Sequence, residues 1–228
     1  MEVTFYKEER GSEALLLFFT GWGTTPEVAK HLSLPVGWDY CAFHDYRDLS
    51  TPLPRFREYQ KVYLLGWSMG VWAADRLAGR LPKVDRAVAI NGTPVPMHDV
   101  YGIPIAHFEG TLRNLDEMNR EKFDRRMVGG KKLLEVYKTF HARSTEDLKS
   151  ELQGVYDQVK GISDTEALTT GLEWTKALIS ERDLIVPPAN QRAFWDAAGV
   201  ETELLAGEGH YPFLSYSSWE GLLFSSRL

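Results

Sequence analysis

A chain of 228 residues that is 43% hydrophobic can bury one substantial core, either as one domain or as one domain carrying a subdomain. Its formal charge of −6 argues against nucleic acid as the main partner, because phosphate binding needs a dense basic surface. One cysteine, Cys41, rules out an internal disulfide, and no apolar run approaches the length that crosses a bilayer.

The opening residues Met1-Glu2-Val3-Thr4 lack a basic stretch followed by a long apolar core, so a reducing, cytoplasmic setting is expected. Strands are predicted at Val3 to Tyr6 and Ala14 to Phe19. The second runs into "FFTGWG", a glycine-rich turn, and a short helix is predicted from Pro26 to His31. Further strands are predicted at Tyr40 to Phe43 and Val62 to Leu65. The latter leads into "GWSMG", Gly66 to Gly70, and then into a run to Arg80 with apolar residues at 69, 72, 73 and 77, a helical spacing. A serine lifted on a sharp strand-to-helix turn, with glycines two residues either side where neighbouring backbone crowds it, is a way to present a nucleophile. Ser68 is the candidate.

A strand at Ala87 to Ile90 closes the first half. From about Pro94 to Trp174 strand signals nearly vanish, and helices are predicted at Asn119 to Phe123, Lys131 to His141 and Thr145 to Tyr156. Residues 94–173 therefore read as a helical cap inserted into a core made of 1–93 and 174–228. The alternation then resumes with a strand at Thr175 to Ile179, a helix at Ala189 to Ala198 and a strand at Glu203 to Leu205. Most strands are apolar on successive residues, which suits a largely parallel sheet covered on both faces. The expected fold class is α/β, with helices flanking the sheet.

A serine hydroxyl needs a base, and the base needs an orienting acid. His210 lies in "GEGHYPF", a loop directly after a strand, from which an imidazole can reach Ser68. His31, His44, His98, His107 and His141 read as ordinary polar residues. In "SERDLIVPP", Asp183 stands just past a strand; Glu181 and Glu208 are its compositional rivals. Two backbone N–H groups should meet the oxyanion of an attacked carbonyl. Met69, after the nucleophile, is one, and Trp22, in the early glycine turn, is the other. Neither a zinc-ligand cluster nor a phosphate-binding glycine loop is present in the sequence pattern, so no metal or organic cofactor is expected.

Taken in order, "FFTGWG", "GWSMG", "SERDLIVPP" and "GEGHYPF" resemble the α/β-hydrolase superfamily. More narrowly, Gly-Trp-Gly at the first turn with Gly-Trp-Ser-x-Gly at the second resembles the BioG-type pimeloyl-[acyl-carrier protein] methyl ester esterases, with BioH a more distant relative. That resemblance implies cleavage of the methyl ester on a pimeloyl chain carried by acyl-carrier protein in biotin synthesis. It implies Ser68, Asp183 and His210 as catalytic residues, Trp22 and Met69 at the oxyanion, and Trp22 and Phe123 against substrate. Another acyl-chain carboxylesterase, a thioesterase, or a silent binding protein of the same fold remain open on the residues alone.

Charge is distributed unevenly. Residues 111 to 143 carry nine Lys or Arg, among them Arg113, Arg120, Arg125 and Arg126, against five acidic residues, a local excess of four that leaves −10 elsewhere. An acidic carrier protein is the partner this suits, and solvated helix faces are the plainer alternative.

Overall fold

The computed structural model describes residues 1–7, 11–140 and 143–224, with the side chains at 6, 7, 131, 132, 164 and 165 outside the description. His141 thus lies outside the described residues, as do the side chains of two lysines of the basic segment.

Seven segments pair into one sheet: β1 (Glu2–Lys7), β2 (Ala14–Phe19), β3 (Trp38–His44), β4 (Lys61–Trp67), β5 (Arg86–Ile90), β6 (Lys176–Ser180) and β7 (Glu201–Leu205). Their spatial order is β1-β3-β2-β4-β5-β6-β7, with β1 antiparallel to β3 and every other pairing parallel. The continuous apolar runs follow from burial on both faces. In β2 all six residues are buried: Leu15, Leu17 and Phe19 enter one core layer while Leu16 and Phe18 enter the other. β4 divides likewise, with Val62 and Leu64 on one side and Leu65 and Trp67 on the opposite side. The two-residue period of an extended chain makes this division automatic.

The first layer is completed by α1 (Met69–Arg76), which adds Val71, Trp72 and Ala73. Between β5 and β6 the chain passes through α2 (Ile105–Asn114), α3 (Glu117–Val128), α4 (Lys131–Lys138), α5 (Thr145–Val159) and α6 (Asp164–Ala167). α5 packs Leu148, Leu152, Val155 and Val159 into the first layer; α3 and α4 place Met127, Val128, Leu134 and Tyr137 in the second. The helical segment therefore straddles one end of the sheet. After β6, α7 (Pro188–Ala197) adds Phe194 and Trp195 to the first layer, and α8 (Trp219–Phe224) adds Trp219, Leu222 and Leu223 to the second.

Several elements differ from the sequence expectation: α3 runs from Glu117 to Val128 where only Asn119 to Phe123 is predicted, and neither α6 nor α8 is predicted. The helix expected to Arg80 stops at Arg76 and tightens into a 3₁₀ turn, Ala78–Arg80. Gly79 is a weak helix former and Pro82 bars Leu81 from helical geometry. The first expected helix is only a 3₁₀ turn, Pro26–Ala29. α2, unforeseen behind three prolines, begins straight after Pro104, with Asp99 Oδ1 accepting from the Ile105 amide at 2.9 Å. Among the described residues no helix is long and apolar enough to cross a membrane.

Candidate active site

The turn from β4 into α1 holds Ser68 at φ 56°, ψ −123°, a region that non-glycine residues avoid. Neighbouring backbone imposes it. A Cβ on Gly70 would lie 2.2 Å from the carbonyl oxygen of Phe19 and 2.4 Å from that of Thr20, so α1 starts against the end of β2 with no room for a side chain. A Cβ on Gly92 would lie 2.4 Å from the Ser68 carbonyl, which makes the glycine after β5 a third contributor to the turn. Gly66 is less constrained, its virtual Cβ 3.0 Å from Val71 Cα. The Ser68 amide donates to Ile90 O at 2.8 Å, tying the turn to β5.

His210, 1% exposed, stands between a hydroxyl and a carboxylate. Its Nε2 is 2.8 Å from Ser68 Oγ and its Nδ1 is 2.8 Å from Asp183 Oδ2. A proton on Nδ1 donated to Asp183 leaves the Nε2 lone pair to accept from the serine O–H, the tautomer that a general base requires. The loop carrying the imidazole is held by its own carbonyl, which accepts from Trp67 Nε1 at 2.8 Å and Asn91 Nδ2 at 3.0 Å. Asp183 is buried and saturated. Oδ1 accepts from the amides of Ile185 and Val186 at 2.8 and 2.9 Å, and Oδ2 accepts from Gln191 Nε2 at 2.9 Å as well as from the imidazole. The rival acids are engaged elsewhere: Glu181 accepts from the Gly207 amide and Glu208 from Ser215 Oγ.

A cavity of about 630 Å³ opens onto Ser68 and His210, a volume in the range of small-molecule sites. Trp22, Met69 and Phe123 line it. The rings of Trp22 and Phe123 meet edge to face at 5.1 Å between centroids, joining the turn after β2 to α3. Met69 is the first residue of α1, where the leading amides have no intrahelical acceptor. The buried part of the lining is apolar, with Phe108, Leu115, Met127 and Leu152, whereas its exposed residues include Lys122, Arg125 and Arg126. His107 also reaches the cavity.

A hydroxyl in hydrogen-bond reach of an imidazole that a buried carboxylate orients, beside an apolar chamber, is equipped for acyl transfer. The family model described as "Pimeloyl-ACP methyl esterase BioG" matches residues 1–222. The chain belongs to the BioG family.

A BioG crystal structure from Haemophilus influenzae superposes with a TM-score of 0.85 at 36% identity, covering 98% of this chain and all of that one. A Haemophilus influenzae protein is 37% identical over 222 residues, covering 97% of this chain and 99% of its own length. A Bacteroides fragilis protein named malonyl-[acyl-carrier protein] O-methyltransferase is 39% identical over 199 residues, which are 86% of this chain but 39% of that longer protein. More remote structures share the fold: a lipase-esterase related protein from Clostridium acetobutylicum gives a TM-score of 0.65 at 15% identity, covering 92% of each chain. The fold is that of the α/β-hydrolases, and the BioG-family chain is a carboxylic-ester hydrolase.

Within this BioG-family site, the four arginines singled out from charge fall into different places. Arg125 and Arg126 are exposed on the cavity lining; Arg126 lies 6.0 Å from the Phe123 ring centre, and Arg125 is 3.5 Å from Glu121 across an open surface. Arg113 is exposed in the last turn of α2. Arg120 is half-buried and donates to Arg143 O at 3.0 Å and Thr145 Oγ1 at 3.2 Å, so it ties α3 to the start of α5.

Asn91, Gln191 and Gly92 had no local signature to mark them. Asn91 acts across a long stretch of chain, reaching Ser180 Oγ at 2.7 Å as well as the His210 carbonyl, Gly92 meets the Ser68 carbonyl from just past the next strand, and Gln191 reaches back eight residues to Asp183. Trp67 sits inside the serine motif, yet its part in holding the histidine loop appears only when β4 and that loop are adjacent.

Asp124, buried on α3 one residue from Phe123, has its carboxyl raised to about 6 by burial, against the opposing pull of Arg120 and Lys138. A carboxyl whose folded pKa exceeds its unfolded one binds its proton more tightly when folded, so stability falls as pH rises from about 4 to about 6 and stays lower above that. Asp124→Asn, neutral throughout, is therefore expected to be more stable than the parent at pH 7.5, by on the order of 2 kcal/mol. The difference should vanish near pH 4. Melting curves at the two pH values check this, and equal Tm values at pH 7.5 would contradict it.

Proposed function

We propose that the protein hydrolyses the methyl ester of pimeloyl-acyl-carrier protein in biotin synthesis, releasing methanol, through Ser68, His210 and Asp183. The observation that carries this reading is the unbroken chain of two 2.8 Å contacts from Ser68 Oγ through the imidazole to Asp183 at the wall of the cavity. His210 Nε2 takes the Ser68 proton as Oγ attacks the ester carbonyl, and Asp183 stabilises the imidazolium. The amides of Trp22 and Met69 meet the oxyanion. His210 then protonates the departing methoxide. Water, deprotonated by the same imidazole, attacks the acyl-enzyme and frees the carboxylate.

Trp22 and Phe123 are the proposed acyl contacts, and residues 94–173 act as the cap that shapes the chamber. An acyl chain suits the buried apolar lining. The carrier protein docks on the exposed basic side chains of Arg125 and Arg126, with Arg113 beside them; Arg120 is left out because its guanidinium is already bound to α5. No cofactor takes part.

Methanol release from pimeloyl-acyl-carrier protein methyl ester, compared with hydrolysis of a thioester of equal chain length, tests the substrate. Preference for the thioester would replace this reading by a thioesterase. Reversing the charges in Arg125→Glu/Arg126→Glu should lower kcat/KM for the carrier-bound ester by about tenfold or more at low salt, since rim charges chiefly set the encounter rate. A small soluble ester should be turned over as before. Equal losses on both substrates would remove the docking surface from the proposal.

A further inference from the structure

The turn that carries Trp22 is fastened to α5 at that residue and at the next. The Trp22 indole Nε1 donates to Leu148 O at 3.0 Å, and the next amide, Gly23 N, donates to Glu151 Oε2 at 3.2 Å. Gly23 has φ +72°, and a Cβ there would stand 3.1 Å from Leu148 Cδ2, so α5 presses directly on the turn. On the other flank, a Cβ on Gly21 would stand 3.0 Å from the Trp67 ring.

Glu151 has no exposed surface. Its Oε1 accepts from the Tyr46 amide at 3.0 Å, just past β3, and its Oε2 also accepts from Arg143 Nη1 at 2.6 Å. Arg143 is in turn 2.7 Å from Asp147 and 3.4 Å from Asp45. A carboxylate withdrawn from water is costly unless it is fully paired. Here the pairing joins three separate segments: the turn after β2, the turn after β3 and α5.

We propose that Glu151 is a positioning residue for ester hydrolysis: by holding the Gly23 N–H it fixes the Trp22–Gly23 peptide plane and, with the indole bond to Leu148 O, the backbone angles of Trp22 that keep the Trp22 N–H aimed at the oxyanion. This rests on the assignment of Trp22 as an oxyanion donor. Such donors accelerate reaction only when their direction is set before charge develops. In Glu151→Gln, one of the two terminal atoms becomes an NH₂ facing an N–H donor, whichever way the amide is turned. Glu151→Asp keeps the charge near Arg143 while drawing the oxygens back from the turn.

The test compares the full chain, these two variants and Arg47→Met. Arg47 lies on the outer edge of the same network, bonded to Asp45 Oδ1 at 2.7 Å and Asp147 Oδ1 at 2.5 Å. The readouts are Tm, kcat and KM on a small soluble methyl ester, and affinity for an alkylboronic acid and for the matching carboxylic acid. Boron mimics the tetrahedral intermediate, whereas the carboxylic acid reports only occupation of the chamber. Both Glu151 variants should lose roughly 10- to 100-fold in kcat, somewhat less than removal of a whole oxyanion donor costs, and a similar factor in boronate affinity. KM and carboxylic-acid affinity should stay within about twofold, and Arg47→Met should melt earlier yet keep its kcat. Undiminished kcat in folded Glu151 variants, or equal losses of boronate and carboxylic-acid affinity, would overturn the inference while leaving the Ser68 reading intact. Failure of the unaltered chain to bind the boronate would remove that reading and this inference with it.

Discussion

Ser68→Ala should lower kcat for methyl-ester cleavage by about 10⁴- to 10⁶-fold, the loss that accompanies removal of a serine nucleophile. Among the described residues no second hydroxyl is bonded to the His210 imidazole, whose two nitrogens are committed to Ser68 Oγ and Asp183 Oδ2. A fluorophosphonate probe should label the parent chain and leave the variant unlabelled. The same residue gives a stability signature that separates its geometry from its chemistry. With φ at 56°, Ser68 occupies backbone space that costs a side-chain-bearing residue about 1 kcal/mol or more. Alanine inherits that strain and glycine does not. Ser68→Gly should therefore melt above Ser68→Ala, both being inactive. Substantial turnover by either variant would show that another group attacks the ester.

The sheet was readable because its strands obey a local rule. Ala14–Phe19 is apolar at every position, which a strand covered on both faces requires, and its structural limits coincide with the predicted ones. The parallel order that follows was expected from strands alternating with helices. Residues 94–173 were harder. α2 carries Gly110 within it and follows Pro94, Pro96 and Pro104, so local propensity argues for a loop, while packing of Phe108 into the first core layer makes the helix.

The same contrast runs through the site. Ser68, Asp183 and His210 each follow a strand within a few residues, in turns whose composition marks them, and parallel strands deliver all three turns to one edge of the sheet. Glu151 sits mid-helix, 128 residues from the amide it holds, in a segment that reads as an ordinary charged helix. Nothing adjacent in sequence announces a carboxylate whose role depends on two turns arriving from the sheet. Gln191 is hidden in the same way, one polar residue in the first turn of α7 that becomes legible only beside Asp183.

Asp183→Asn is the second large effect expected, about 10³- to 10⁴-fold in kcat, because the substitution changes a tautomer rather than a shape. The carboxylate is surrounded by donors alone: two backbone amides on Oδ1, and Gln191 Nε2 with the imidazole on Oδ2. An asparagine must turn its NH₂ toward one of these pairs. Facing Ile185 and Val186, it opposes two amides that cannot reverse, in a buried site where each unmet donor costs about 1–3 kcal/mol. Facing His210, it donates to Nδ1, and the imidazole proton moves to Nε2, where it points at Ser68 Oγ and can no longer accept from it. The second arrangement keeps both backbone bonds and is the one expected, so the variant should fold while its base is blocked. Activity should recover in part as pH rises, since hydroxide can then replace the missing base in deacylation and serine ionises more readily. Gln191→Leu, which removes one donor to Oδ2 but leaves the imidazole bond, should cost far less, about tenfold, through looser orientation of the acid. A pH–rate profile of the three chains distinguishes these cases: loss in Asp183→Asn no greater than in Gln191→Leu would mean that the carboxylate is a structural anchor for its turn and that His210 is oriented by its backbone bonds to Trp67 and Asn91.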